Sequence, residues 1–192
     1  MPKQLLRYAF DDQAFRGFRA TQVQVKLTSS NWERQRYFAL RQRVFSDEQQ
    51  LLSHEQDAED FRATAIVALA SNCGMTDDVV GAVRIFQRDD PNYPELWFGG
   101  RLCVAKEYRG HSQIGKALIN TAVSRAKQLG CQHFHAFVQR QNVRYFSGLH
   151  WAEMGDISIA GHPHKRMRAD LSAYPLASMA PPMLAETMEE PA

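Results

Sequence analysis

The sequence predicts a mixed α/β domain. Three observations lead there: apolar stretches with period two alternate with stretches that repeat every three to four residues, a long helix follows directly on a glycine-bearing strand, and the composition can supply a core. Of 192 residues, 44% are hydrophobic and 23% charged. That is ordinary for a globular chain, which at this size buries about two-thirds of its surface.

The elements follow in order. Residues 1–21 hold Tyr8, Phe10, Phe15 and Phe18 among charges without clean periodicity, and read as an extension docked on the domain. Residues 22–28 alternate, with Val23, Val25 and Leu27 on one side, which is a strand pattern. Ser30 and Glu33 match a capping box. The helix they open carries Tyr37, Leu40 and Val44 on one stripe, with Phe38 and Phe45 beside it. Residues 46–62 are polar and acidic, with room for a second short helix over 47–60. Strands at 63–70 and 79–86 are joined by a loop containing Asn72, Gly74, Asp77 and Asp78. A turn at 89–94 leads to a strand at 96–104, where Gly99 and Gly100 mark a bulge or splay.

The best helix spans about 112–129. Ile114, Ala117, Leu118, Ala122, Val123, Ala126 and Leu129 keep its period, and Gly130 stops it. A strand at 132–138, a short helix at 142–149 and a strand pair at 151–159 and 165–171 complete the order β-α-β-β-β-α-β-α-β-β. The last pair turns around Gly161, His162, Pro163 and His164. After Tyr174 the composition shifts to Pro, Met, Ala and Glu, so 172–192 read as a loosely held tail on a domain of residues 22–171.

Charge and cysteine content exclude several classes. Twenty-three basic against 21 acidic side chains leave a formal charge of +2, which argues against a nucleic-acid partner. The longest apolar run, 65–70, is far short of the roughly 20 residues that cross a bilayer. Without a basic start and an apolar h-region, the expectation is a cytoplasmic protein with no membrane partner. Cys73, Cys103 and Cys131 form no CxxC pair and read as reduced, buried thiols.

The chemistry concentrates in the stretch RLCVAKEYRGHSQIGKAL, residues 101–118. A strand ends near Val104, a basic glycine-bearing turn follows, and a helix begins. Such a turn offers unpaired N–H groups at the positive end of a helix, a cradle for phosphate. Arg109 and Lys116 add charge, while Gly110 and Gly115 let the backbone approach closely. The turn is not a Walker A loop, because GxxxxGK is followed by Ala117 rather than Ser or Thr. An ordinary glycine turn is the competing reading.

The pattern L-x-V-x-x-x-Y-R-G…I-G-x-A-L, Leu102 to Leu118, resembles motif A of the GNAT N-acetyltransferase family. Residues 142–151, NVRYFSGLHW, resemble its motif B, and the likeness covers about 22–171. It implies a GNAT fold: a mostly antiparallel twisted central sheet, splayed between its fourth and fifth strands, with helices on both faces. It further implies transfer of an acetyl group from acetyl-CoA to the amine of a small molecule, by direct attack in a ternary complex and without a metal. Backbone amides of Leu102, Cys103 and Val104 would hold the pantetheine arm. The turn of Arg109, Gly110, His111, Ser112, Gln113, Ile114, Gly115 and Lys116 would hold the pyrophosphate. Asn142 would touch the pantetheine, and Phe146 would pack near the thioester. Arg41-x-x-Val44-Phe45-x-x-Glu48-Gln49 and Gly161-x-Pro163-His164-x-x-Met167 are similar to a subgroup encoded beside nitrilase-like enzymes.

Two departures stand out. Counted back from Gly115, the family hexapeptide Q/R-x-x-G-x-G/A begins on Gly110, with Gln113 at its fourth position. Either Arg109 is displaced by one residue or the turn is wider than usual. The tyrosine that often protonates the leaving thiolate aligns with Phe146, and neighbouring Tyr145 lies about 100° around the helix. A thiolate with a free pKa of about 8.5 would then leave unassisted.

An alkyl amine of pKa about 10 is only about 0.1% neutral at pH 7, so a base is required. Glu48 and His164 are the candidates, with His135 third; a solvated helix end and a turn histidine are the plainer readings of the first two. His133 with His135 and His162 with His164 form two HxH pairs, which read as core or turn histidines rather than metal ligands. The acidic run 55–60 is either a solvated loop or an attractant for a cationic amine. Trp97 and Phe98 are core or pocket wall. A non-catalytic CoA-binding or regulatory module on the same fold is the alternative function, and an acyl-homoserine-lactone synthase a third. A homodimer, through a sheet edge or the terminal extensions, is left open.

Overall fold

The computed structural model describes residues 22–51, 53–72, 75–110, 113–176 and 183–185. The expected N-terminal extension, Cys73, His111 and Ser112 lie outside them. Strands β1 (Gln22–Leu27), β2 (Thr64–Asn72), β3 (Met75–Gln87), β4 (Leu96–Val104), β5 (His133–Gln139), β6 (Trp151–Ile159), β7 (His162–Ala169) and β8 (Met183–Ala185) form one sheet. Their order is β6-β7-β5-β4-β3-β2-β1-β8. Every neighbouring pair is antiparallel except β4 with β5. The helices are α1 (Asn31–Gln42), α2 (Ile114–Gln128) and the short α3 (Val143–Ser147). The mixed sheet with helices agrees with the fold expected from the sequence.

Two contacts assign the faces. A Cβ on Gly81 would stand 2.8 Å from Leu118 Cδ1 and 3.0 Å from Ile114 Cγ2, so α2 lies directly on β3. By strand alternation Gly81, Val83 and Ile85 face α2, while Ala82, Arg84 and Phe86 face the side of α1. A Cβ on Gly99 would likewise meet the Phe134 ring, whereas one on Gly100 would look toward Arg84.

The capping box is half formed. Ser30 Oγ accepts from the Glu33 N–H at 3.2 Å, but the Glu33 carboxylate takes the Ser29 N–H and Lys26 Nζ, at 2.6 and 2.8 Å. Helix α1 then widens into a π-helical turn, Arg43–Glu48, closed by Gln49 N–H to Val44 O at 3.1 Å. That widening lets adjacent Val44 and Phe45 both be buried.

Three expectations are corrected. The hairpin of β6 and β7 turns at Ala160 and Gly161, so His162, Pro163 and His164 lie within β7, not in the turn. Pro163 is tolerated because β5 pairs with β7 only as far as His164. Residues 183–185, placed in the tail, pair with β1 as β8. The acidic run is not solvated: Glu55 and Asp60 are buried, and a 3-10 turn, Ala58–Phe61, replaces the second helix.

Candidate active site

The site begins where β4 leaves β5. Their parallel pairing covers Leu96 to Gly99 on β4 and His133 to Ala136 on β5, and then stops. Opposite, β4 keeps its ladder with β3, with a register shift between Ala82 and Arg84 that bulges β4 at Arg101, a residue held at φ 54°. The glycine pair therefore marks both a bulge and a splay.

Beyond Gly99 the β5-facing edge of β4 has no strand partner. Ala105 N–H bonds to Val80 O at 2.8 Å, and Cys103 pairs with Ala82. Ladder alternation then directs the Cys103 amide at β3 and the Val104 peptide groups at the gap. Consistent with this, Val104 O accepts from Arg109 Nε at 2.8 Å. Of the three expected amides, that of Val104 opens on the gap and that of Cys103 does not. The Cys103 side chain is buried, and burial pushes its thiol up to about 12.

Two cavities meet at the gap. A cleft of about 530 Å³ runs along β4 to the start of α2, between Val104, Tyr108, Arg109, Gly110, Gly115 and Tyr145. A smaller cavity of about 180 Å³ lies between Phe45, Phe86, Phe98, Phe137, His164 and the glycine pair. Leu102, Gln139, Asn142 and Phe146 line both. Phe146 is buried against Trp151, with ring centroids 5.2 Å apart. Phe98 is pocket wall, while Trp97 faces the core with α2.

Gln113, the N-cap of α2, makes no side-chain cap bond, and a helix start leaves its first N–H groups unpaired within the helix. Gly110 is at φ 88°, which a side chain would strain. Ile114 is fully buried and leaves only its backbone for a ligand; Gln113 and Lys116 are exposed. Tyr145 is 47% exposed, with its hydroxyl 3.1 Å from the position a Gly115 Cβ would take. The turn thus presents a positive helix end and Arg109 to the cleft, while Lys116 is exposed outside its lining.

The three base candidates part company. His164 is 5% exposed, and its Nδ1 lies 2.9 Å from His162 O. A carbonyl only accepts, so Nδ1 carries the proton and Nε2 keeps its lone pair. Glu48 belongs to neither cavity wall; its Oε2 pairs with Arg109 at 2.8 Å. His135 is fully buried, and its Nδ1 lone pair is occupied by the Arg166 guanidinium, at 2.9 Å from the terminal nitrogen. Burial, with the Arg166 charge, pulls its pKa down to about 4, so His135 is a neutral acceptor and not a base. Among the described residues no three His, Cys, Asp or Glu side chains gather as a metal site.

Under the cavity lies an ion network that sequence reasoning missed. Arg41, fully buried, donates to Glu55 Oε2 at 2.6 Å, to both Asp60 oxygens at 2.7 and 3.0 Å, and to the Tyr37 hydroxyl. Arg84 forks onto Asp57 at 2.6 and 2.7 Å, and Arg101 reaches Asp57 at 3.0 Å. Three carboxylates face three guanidiniums, so the charges of Glu55, Asp57 and Asp60 are paired within the network. Arg41 and Arg84 hold the Asp60 carboxyl well below the usual carboxylate range.

A model of the acetyltransferase (GNAT) family matches residues 26–147. No curated protein matches. Among solved structures, a putative N-acetyltransferase from Lactobacillus plantarum is 24% identical, with a TM-score of 0.67 over 78% of this chain and 98% of that one. Escherichia coli ElaA is 18% identical, with a TM-score of 0.65 over 77% and 99%. A CoA-dependent acyl-homoserine lactone synthase, BjaI, solved with SAM and isopentyl-CoA, is 15% identical, with a TM-score of 0.62 over 78% and 83%. At these identities the likeness is one of fold.

Proposed function

We propose that this chain, which belongs to the acetyltransferase (GNAT) family, moves an acetyl group from acetyl-CoA to the amine of a small molecule by direct attack. The observation that carries this reading is that the two cavities share Leu102, Gln139, Asn142 and Phe146 beside the open edge of β4. Acetyl-CoA would lie along that edge with its phosphates at the start of α2 and its thioester at the gap. The amine would reach it from the cavity that holds His164.

In this mechanism His164 Nε2 takes a proton from the attacking ammonium, and the freed nitrogen forms a C–N bond with the thioester carbon. The Val104 amide is aimed at the gap, where the carbonyl oxygen gains charge. The C–S bond then breaks, the thiolate, with a free pKa of about 8.5, departs without an acid from Phe146, and the proton the new amide nitrogen still sheds passes to that thiolate through solvent. A covalent acyl-cysteine route has no support, because burial pushes both described thiols, Cys103 and Cys131, up to about 12. Glu48 acts on the other side of the gap, fixing Arg109 for the phosphates.

The test is calorimetric titration with acetyl-CoA, longer acyl-CoAs and free CoA, followed by thiol release against a panel of amines. Micromolar binding that Arg109→Ala weakens about tenfold or more supports the cradle. His164→Ala should cut turnover about 100-fold with unchanged CoA affinity. Glu48→Gln should shift CoA affinity and leave the pH profile of turnover in place. Binding of CoA without thiol release from any amine would favour a CoA-binding module, and no binding would remove both readings.

A further inference from the structure

Resting on the reading as an N-acyltransferase, we infer that the acceptor carries a carboxylate beside its amine and an apolar side chain, and that Arg166 is the residue that selects it. The class is an apolar amino acid.

The placement follows from register. Gln139, Phe137 and His135 of β5 stand opposite His164, Arg166 and Arg168 of β7. Met167 is fully buried among the core residues that include Ala136, so alternation turns His164 and Arg166 to the other face, where Phe98 and Phe137 form the cavity floor. His164 and Arg166 are two residues apart on one face, about 7 Å along the strand. His164 lines the cavity and Arg166 does not; its guanidinium stands just beyond, over the Phe98 ring that forms part of the floor, so base and guanidinium border one aromatic surface at the spacing of a small bifunctional molecule.

Charge and position together favour Arg166: Arg88 also stands over Phe98, at 5.7 Å, but Arg166 shares the face of β7 with His164 and is half-buried. The guanidiniums in the cavity wall, Arg84 and Arg101, are bound to Asp57, Asp60 and Glu55. Arg166 has no carboxylate within 4 Å among the described residues. Its neighbours are His135 Nδ1, at 2.9 and 3.3 Å, and the rings of Tyr93 and Phe98, at 5.2 and 6.0 Å. Two of its five N–H donors serve His135, which leaves three. A half-buried guanidinium laid on aromatic faces has lost part of its water, so an arriving carboxylate faces less desolvation than at an exposed arginine. His135 is the positioning residue, since a neutral imidazole accepts from the guanidinium without adding charge. Of the acid residues that might instead have drawn a plain cationic amine, Glu55 and Asp60 are buried and Asp57 is held by Arg84 and Arg101.

The experiment measures thiol release from acetyl-CoA with two matched series: leucine, leucinamide and isopentylamine, and phenylalanine, phenylalaninamide and phenethylamine. The free amino acids should exceed their amides and amines in kcat/KM by about 10- to 100-fold, the range of a hydrogen bond to charge. Arg166→Gln should erase that preference through KM, leaving acetyl-CoA affinity and the rates with the amides unchanged, and Arg166→Lys should restore part of it. Equal use of all six by the wild type, or equal loss on all six in Arg166→Gln, overturns the inference while leaving the N-acyltransferase reading intact. If acetyl-CoA binds but no amine releases thiol, the catalytic reading falls. Calorimetric binding of leucine and phenylalanine to the CoA complex then decides: binding lost in Arg166→Gln sustains the inference, and absent or unchanged binding overturns it.

Discussion

At the scale of single residues, His135 shows how far a side chain's surroundings outweigh its identity. The sequence offers seven histidines, and nothing in their spacing tells a base from a buried acceptor. His164 and His135 differ in what meets Nδ1: a carbonyl in one, a guanidinium in the other. That difference sets opposite tautomers, and it arises from the pairing of β5 with β7, which local sequence does not encode. It also has a pH signature. The His135 pKa falls from an ordinary 6.5 to about 4 on folding, so between these values the unfolded chain binds the extra proton. The stability this provides is complete above pH 6.5 and is lost as pH falls toward 4, by at most about 3 kcal/mol. Thermal unfolding followed from pH 7 to 4 should show this decline. His135→Asn, which keeps an acceptor for Arg166 but cannot take up a proton, should flatten it.

At the scale of elements, periodicity locates α1, α2 and every strand but β8, because each buries one face against the sheet, but it misses the first three residues of β7. The alternating pattern is shorter than the strands: β2 and β3 run on until Asn72 pairs with Met75. The π-helical turn was illegible because one extra residue per turn changes the phase only after the helix has ended. The contact of α2 with β3 makes a sharp prediction. Gly81→Ala would put its methyl at 2.8–3.0 Å from Leu118, Ala68 and Ile114, all of them core atoms. The cost should be about 1–3 kcal/mol of overpacking, read as a lower urea midpoint. An unchanged midpoint would mean that α2 can lift from the sheet.

At the scale of the molecule, the net charge of +2 is accurate and its distribution was hidden. Glu55, Asp57 and Asp60 sit in a polar stretch that looks solvated, while their partners Arg41, Arg84 and Arg101 come from α1, β3 and β4. Such pairing is long-range and leaves no pattern in the local sequence. Arg41→Met keeps the volume but takes from buried Glu55 its close partner and leaves Asp60 to Arg84 alone, and should cost about 3–5 kcal/mol in urea unfolding. A loss near zero would mean that water reaches Glu55 and Asp60.

The divergence of β4 from β5 has a consequence for how such a protein can change. The grip proposed for β4 on a donor is made of peptide groups, and every amino acid except proline brings the same N–H. Nearly any substitution along β4 leaves that grip in place, whereas Val104→Pro deletes it outright. Sequences can therefore wander far, as among the fold's relatives at 15–24% identity, without rebuilding the donor's berth. Novelty then accumulates on the facing wall of β5 and β7, where side chains alone decide which guest is accepted.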